Sequence, residues 1–176
     1  KSISIAGADL TMSAITVPSS GIAGGTVTVS NTATAASGGG NAGGFYITFY
    51  LSADNAITTS DTALGTRYVS GLAAGASNAA DTTLTLPTNI TGPYYIGAIV
   101  DMYYNSNYTV SNMVKESDET NNVSEAKAIS GSAKRRIQGP SKAEGGPRTI
   151  WPAKSWAQPR ARVASGRSPR GMPRRA

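Results

Sequence analysis

Oxygen is the ligand atom this chain has to offer. Its 176 residues include no cysteine and no histidine. That removes thiolate and imidazole metal sites, the cysteine nucleophile, the Ser-His-Asp triad and the usual general base near neutral pH. What remains is carboxylate, amide, hydroxyl and phenol. One place where these gather is Asp54-Asn55 followed by Ser60-Asp61. Calcium takes about six to eight oxygens from carboxylates, amides and carbonyls on a loop able to wrap around it. This loop holds the right groups for a weak calcium site, though not at EF-hand spacing. The same residues also suit a turn shaped by Asp54 and Asn55, with Ser60 or Asp61 capping a single helical turn before Leu64-Gly65. Both readings stand at this point.

A second gathering is Glu116-Ser117-Asp118-Glu119-Thr120-Asn121-Asn122. Three acids in four positions repel one another unless a cation or hydrogen-bond donors sit nearby. As a catalytic carboxylate pair they would need a cleft and one raised pKa, and no cleft is marked. As an ordinary charge run they form a solvated polar turn leading into the last strand. A third set is Tyr103, Tyr104 and Tyr108, interleaved with Asn105, Ser106 and Asn107. Tyrosine among small polar residues makes adaptable contact surfaces for protein or sugar. The same rings could instead cover the end of a sandwich.

The charge is divided along the chain. Residues 1–130 carry nine acids and four bases, a net of −5, whereas residues 131–176 carry twelve bases and one acid, a net of +11. The second segment also holds six of the nine prolines and both tryptophans, Trp151 and Trp156. It lacks strand periodicity and is expected to be disordered, because it cannot bury enough apolar surface to offset its ordering entropy. Lys134, Arg135, Arg136, Arg160, Arg162, Arg174 and Arg175 could hold nucleic acid or another polyanion without sequence preference. Arg, Pro, Ala, Gly and Ser are equally what GC-rich DNA yields when read out of register. The chain opens on Lys1 rather than Met, as expected after removal of a leader or in a piece of a longer chain.

The elements that must position these groups read as β throughout. Period-2 alternation between turn residues predicts strands at 9–17, 26–30, 45–52, 64–69, 82–86, 94–101 and 123–129. In the third, Phe45, Ile47, Phe49 and Leu51 share one face and Tyr46, Thr48 and Tyr50 the other. The sixth is the most apolar and is expected at the centre of its sheet. Residues 35–44, rich in glycine, read as a flexible connection, and 102–122 as a long loop. Seven short strands with no amphipathic helical stretch predict an all-β, two-sheet antiparallel sandwich of immunoglobulin type over residues 1–130, followed by the basic tail 131–176. No apolar run is long enough for a membrane-spanning helix.

These strands carry a resemblance. Asp9-Leu10-Thr11, Gly25-Thr26-Val27-Thr28-Val29, Phe49-Tyr50-Leu51-Ser52 with Asp54 and Asp61, and Leu64-Gly65 come first. Gly71-Leu72-Ala73-Ala74-Gly75, Gly92 to Asp101, and Glu116 to Asn122 follow in the same order. Together they resemble the CARDB family, the cell-adhesion-related domain of bacterial and archaeal surface proteins, over residues 9–129. The resemblance implies an immunoglobulin-like sandwich, in tandem or appended to extracellular enzymes and adhesins. Met102 to Lys115 is longer than the hairpin usual in the family, and the basic tail has no counterpart there. The expectation is therefore a non-catalytic adhesion or accessory module, extracellular or at the cell surface, meeting a protein or carbohydrate partner. A structural subunit that joins like subunits by edge-strand addition is the alternative. Polyanion binding through the tail is a further one.

Overall fold

The computed structural model describes residues 6–104 and 109–134. Among these residues there is no helix, and ten strands follow in chain order. They are β1 (Leu10–Thr16), β2 (Ser20–Ile22), β3 (Thr26–Ala35), β4 (Phe45–Ser52), β5 (Thr62–Val69), β6 (Ser77–Thr85), β7 (Gly92–Val100), β8 (Met102–Tyr104), β9 (Thr109–Ser111) and β10 (Lys127–Ser132). One sheet has the order β1-β3-β6, the other β2-β10-β7-β4-β5, and β8 and β9 form a separate hairpin. Every pairing is antiparallel except that of β10 with β2, which is parallel. The expected two-sheet immunoglobulin-like sandwich is what forms.

The alternation in the sequence explains the core. Phe45, Ile47, Phe49 and Leu51 of β4 are buried, in one cluster with Val27 and Val29 of β3, Leu84 of β6 and Ile96, Ala98 and Val100 of β7. Each large side chain so enclosed contributes about 1.5–3 kcal/mol relative to exposure. The other face of β4 is also covered. Tyr50 is fully buried against Ile57 and Ile99, with Ala63, Met102 and Ala126 around them. β7 lies at the centre of its sheet, between β10 and β4, as its apolar run predicts.

Several elements differ from expectation. β2 is a short polar strand with no alternation to announce it; it exists because it pairs with β10. β3 and β6 are longer than predicted because they pair over nine residues, Thr26↔Thr85 to Thr34↔Ser77, and the ladder carries Asn and Ala residues of low strand propensity. The last strand begins at Lys127 and continues to Ser132, while Val123 makes only an isolated bridge to Ile99. The segment 102–122 is not wholly loop, since it contains the β8–β9 hairpin. The glycine-rich 35–44 connection is tied down: Gly40 N–H donates to Gly7 O at 2.7 Å and Ala42 exchanges hydrogen bonds with Leu72. At Gly40 an added Cβ would lie 2.9 Å from the Ala6 carbonyl oxygen, so the close approach needs glycine. Residues 135–176, with the expected disorder of the tail, lie outside the described residues.

One inward position of β5 is polar. Arg67 reaches across to the opposite sheet, where its Nε donates to Asn31 Oδ1 at 3.0 Å and its Nη1 to Asn78 Oδ1. Asn31, only 2% exposed, in turn donates to Ala80 O at 2.9 Å and Thr82 Oγ1 at 3.0 Å. A buried donor or acceptor left unpaired costs about 1–3 kcal/mol. Arg67→Met should therefore destabilise the sandwich by about 1–3 kcal/mol in denaturant unfolding, through the orphaned Asn31 Oδ1.

The true end of β10 sets a second expectation. Gly131 and Ser132 complete the ladder to β2, and Ser132 O accepts the Ala23 N–H at 2.8 Å. A chain ending at Lys134 should unfold cooperatively with the midpoint of the full chain, whereas one ending at Ser130, the boundary expected from composition, should melt lower. Equal midpoints for the two truncations would show that the β2–β10 pair adds nothing.

Candidate metal centre

Covering the outer face of β4 requires chain beyond β7 to fold back over the sheet. Two residues in the left-handed region mark that reversal: Asp101 with φ 55° where β7 ends, and Asn112 with φ 56° just after β9. Asp and Asn accept this conformation more readily than most side chains do. The chain thus leaves as the β8–β9 hairpin and returns beside its own root. There the Val114 N–H donates to Asp101 Oδ2 at 3.0 Å. The returning segment then crosses to the start of β1. Glu116 forms a parallel bridge with Ala8, and Ser117 N–H donates to Ala8 O at 2.7 Å. It ends beside β7, where Asn122 O accepts the Val100 N–H at 3.0 Å.

This path brings three carboxylates together. One oxygen each of Asp101, Glu116 and Glu119 lies within 4.8 Å of the others. Asp101 is 1% exposed and Glu116 9% exposed, while Glu119 is open to solvent. Glu116 Oε2 accepts the Leu10 N–H, its Oε1 accepts from Asn122 Nδ2 at 3.2 Å, and its own N–H donates to Glu119 Oε1 at 3.0 Å. Three buried oxygens here have no hydrogen-bond partner, Asp101 Oδ1, Asn121 Oδ1 and Asn122 Oδ1. Burial pushes the Asp101 carboxyl up to about 6, aided by the charge of Glu119 and opposed by the Val114 and Met113 N–H groups. Burial likewise pushes Glu116 up to about 7. The Leu10 N–H and the Asn122 amide work against that rise, and the charges of Asp101 and Glu119 add to it.

The sequence-predicted residues fall elsewhere. Asp54 Oδ1 accepts from the Ala56 N–H at 2.9 Å and the Ser52 hydroxyl at 3.3 Å. Asp61 Oδ2 accepts from the Thr58 N–H at 2.7 Å and the Thr58 hydroxyl at 3.2 Å. Asn55 and Ser60 are exposed. These are the bonds of ordinary turns, and the helical turn proposed before Leu64 does not form. The solvated turn expected at 116–122 needs correction at Glu116 and Asn122, both buried because the segment packs across the end of the sandwich. From sequence, Asp101 reads only as the end of the apolar strand. Its signal was a carboxylate directly after Gly97-Ala98-Ile99-Val100, where an exposed turn residue would not be buried. Tyr103 and Tyr104 lie on β8 and Tyr108 lies outside the described residues, as do Arg135, Arg136, Arg160, Arg162, Arg174 and Arg175. Lys134 is exposed at the end of the described chain.

The architecture defines an immunoglobulin-like β-sandwich module with an acidic, oxygen-only site at one end. The chain belongs to the CARDB family, whose model matches residues 7–126. It is similar to the CARDB domain of a Pyrococcus furiosus protein crystallised in complex with di-metal ions. That match has 20% identity and a TM-score of 0.51, and covers 75% of this chain and 95% of that one. The solution structure of the same domain matches with 20% identity and a TM-score of 0.51, over 74% of this chain and 100% of that one. At such identity the likeness is one of fold. No curated protein matches the sequence.

A pH dependence follows from the buried acids. Both folded-state pKa values lie above the ordinary carboxylate range, so over about pH 4–7 the folded chain holds more protons than the unfolded one. These two groups therefore make stability fall as pH rises through that window. The exposed Asp118 and Glu125, whose carboxyls are lowered, act in the opposite direction. With chelator present, the melting temperature of Glu116→Gln should decline less between pH 5 and pH 7.5 than that of the parent; parallel curves would contradict the assignment.

Proposed function

We propose that this domain is a non-catalytic adhesion or accessory binding module, displayed outside the cell, whose contact surface is a strip of tyrosine rings on the outer face of the five-stranded sheet. The observation that carries this reading is the arrangement of Tyr68, Tyr46 and Tyr103. Tyr46 and Tyr68 are cross-strand partners on β4 and β5, with ring centroids 5.0 Å apart. Tyr103 on β8 also packs against Tyr46 at a tilt, with ring centroids 4.4 Å apart. Tyr68 is 56% exposed, and Tyr104 next to Tyr103 is 39% exposed. A row of aromatic faces with polar hydroxyl ends suits a saccharide ring or the side chains of a protein surface.

Membership of the CARDB family supports the non-catalytic reading and the placement outside the cell. The di-metal ions of the Pyrococcus domain support a module assisted by bound metal ions; calcium is the ion favoured by donors that are all oxygen. Calcium at Asp54 and Asp61 has less in its favour, because both carboxylates already accept hydrogen bonds from their own turns. Assembly of like subunits through edge strands is weakened at β6, where the edge carries Asp81, a charge of the kind that blocks strand addition.

The test is binding of the full chain to immobilised chitin, cellulose, peptidoglycan and whole bacterial cells. Tyr68→Ala and Tyr104→Ala should each weaken binding to the surface that retains the parent by about tenfold, with unchanged melting temperature. Retention indifferent to both substitutions would move the contact surface elsewhere. Retention lost instead on truncation after Lys134 would place it in the basic tail.

A further inference from the structure

We propose that Asp101, Glu116 and Glu119, with the side-chain carbonyl of Asn122, form a single calcium-class site that locks the root of the β8–β9 hairpin to the body of the sandwich. The assignment deepens the cation-assisted reading above by naming its ligands, and it is independent of the tyrosine strip.

Three properties of the cluster point to a bound cation. The first is charge. Three carboxylates share one small volume, two of them buried, and among the described residues no lysine or arginine pairs with them. The one ion pair there joins Lys127 to Glu125. Buried like charges are costly unless a counter-charge is supplied.

The second is the unpartnered oxygen. Asp101 Oδ2 is occupied by the Val114 N–H and the Met113 N–H also favours the carboxylate, but Oδ1, in a side chain 1% exposed, has no partner at hydrogen-bond geometry. A buried carboxylate oxygen without a donor is among the less tolerable polar atoms in a fold, and a cation is one of the few partners that would satisfy it without a further donor. Asn122 repeats the pattern. Its amide NH2 group is bonded to Glu116, while its Oδ1 is buried and unpartnered. The oxygens of Glu116 and Glu119 that accept N–H groups each retain a second lone pair for a ligand.

The third is size and hardness. All the donors are oxygen, which selects hard divalent ions. Calcium–oxygen bonds of about 2.3–2.6 Å place ligand oxygens on opposite sides of the ion at most about 4.6–5.2 Å apart. Magnesium bonds of about 2.0–2.1 Å allow only about 4.2 Å. The three carboxylate oxygens lie within 4.8 Å of one another, close enough for one ion to bridge; calcium, which accepts irregular geometry and gives up water more readily than magnesium, suits such a mixed donor set.

Such an ion would join chain segments that are far apart in sequence. Asp101 is where the hairpin leaves β7. Glu116 and Glu119 lie on the segment that returns from it, and Glu116 is already bonded to Leu10 at the start of β1. Calcium would thereby fix the direction of the hairpin that carries Tyr103 and Tyr104.

The experiment uses the full chain, stripped with chelator and dialysed. Melting temperature and isothermal titration are followed against CaCl2 and MgCl2, with hydrogen exchange of residues 112–120 as a local readout. The expected result is one calcium per chain, a rise of several degrees in melting temperature, and slowed exchange over 112–120. Magnesium should be weaker. Glu119→Gln, at an exposed position that folding tolerates, should weaken calcium by about tenfold, because affinity follows the ligand charge count. Asp101→Asn should abolish the response, while Asp54→Ala should leave it intact. No calcium binding at all in the parent would overturn both the site and the cation-assisted reading. Binding that persists unchanged in Glu119→Gln and Asp101→Asn, or that is lost in Asp54→Ala, would overturn the site alone. So would a magnesium response equal to that of calcium.

Discussion

The rest of the structure hangs on the burial of both faces of β4. One row, Phe45, Ile47, Phe49 and Leu51, enters the space between the sheets and forms the principal core. The other row includes Thr48 and Tyr50, both fully buried although they point away from that core. A strand of a two-sheet sandwich ordinarily leaves its outer row to solvent. Here something has to cover it, and the cover is made of chain with little apolar content: Ile57 from one loop, Met102 from the root of the hairpin, and Ala126 from the approach to β10. Gly97 on β7 leaves room for this layer, since a Cβ there would sit 2.4 Å from Ile57 Cγ1.

That second layer places polar groups in burial. The chain after β7 must reverse, cross the end of the sandwich and come back to β10, and most of what it carries is acid, amide and hydroxyl. Its backbone is satisfied against β1 and β7, and Ser124 serves β7 twice, with its N–H on Ala98 O and its hydroxyl on the Ala98 N–H. The carboxylates are satisfied only in part. A concentration of negative charge at one end, with oxygens left over, is thus a consequence of covering β4 with a polar strap. The contrast with Arg67 is instructive. That partly buried charge meets two asparagine side chains of the opposite sheet and joins the sheets with neutral acceptors. The acid end has no such resolution from within the described protein.

The same layer brings the tyrosines together. Tyr46 and Tyr68 would be an ordinary cross-strand pair on an exposed sheet face. The hairpin root adds Tyr103 against Tyr46, and Tyr104 follows it on the same strand, partly exposed. The proposed contact surface and the acid cluster therefore both follow from one event, the return of the chain at Asp101. Stiffness at that residue would be felt at the rings.

The strands whose pattern was plain in the sequence were those in which residue type and burial agree. Thr26 to Ser30 buries one row against the opposite sheet, so period 2 is written into residue type; Phe45 to Ser52 and Tyr94 to Val100, covered on both faces, stand out instead as apolar and aromatic runs, and the CARDB-like order of these pieces fixed the class of fold. β2 could not be read, because a three-residue strand of Ser, Gly and Ile is held by backbone pairing to β10, and backbone hydrogen bonds leave no mark on side-chain identity. Nor could the full length of β6, where Asn78 and Asp81 are tolerated by the ladder to β3. The acids show the limit most clearly. Asp54 and Asp61 stand close together in sequence and belong to turns, because a short-range cluster is satisfied by its own backbone. Asp101, Glu116 and Glu119 are spread over a hairpin, and only the reversal at a left-handed residue brings them to one point. Composition determined that any metal site in this chain would be built of oxygen rather than thiolate or imidazole; which oxygens meet was decided by how the outer face of β4 had to be covered.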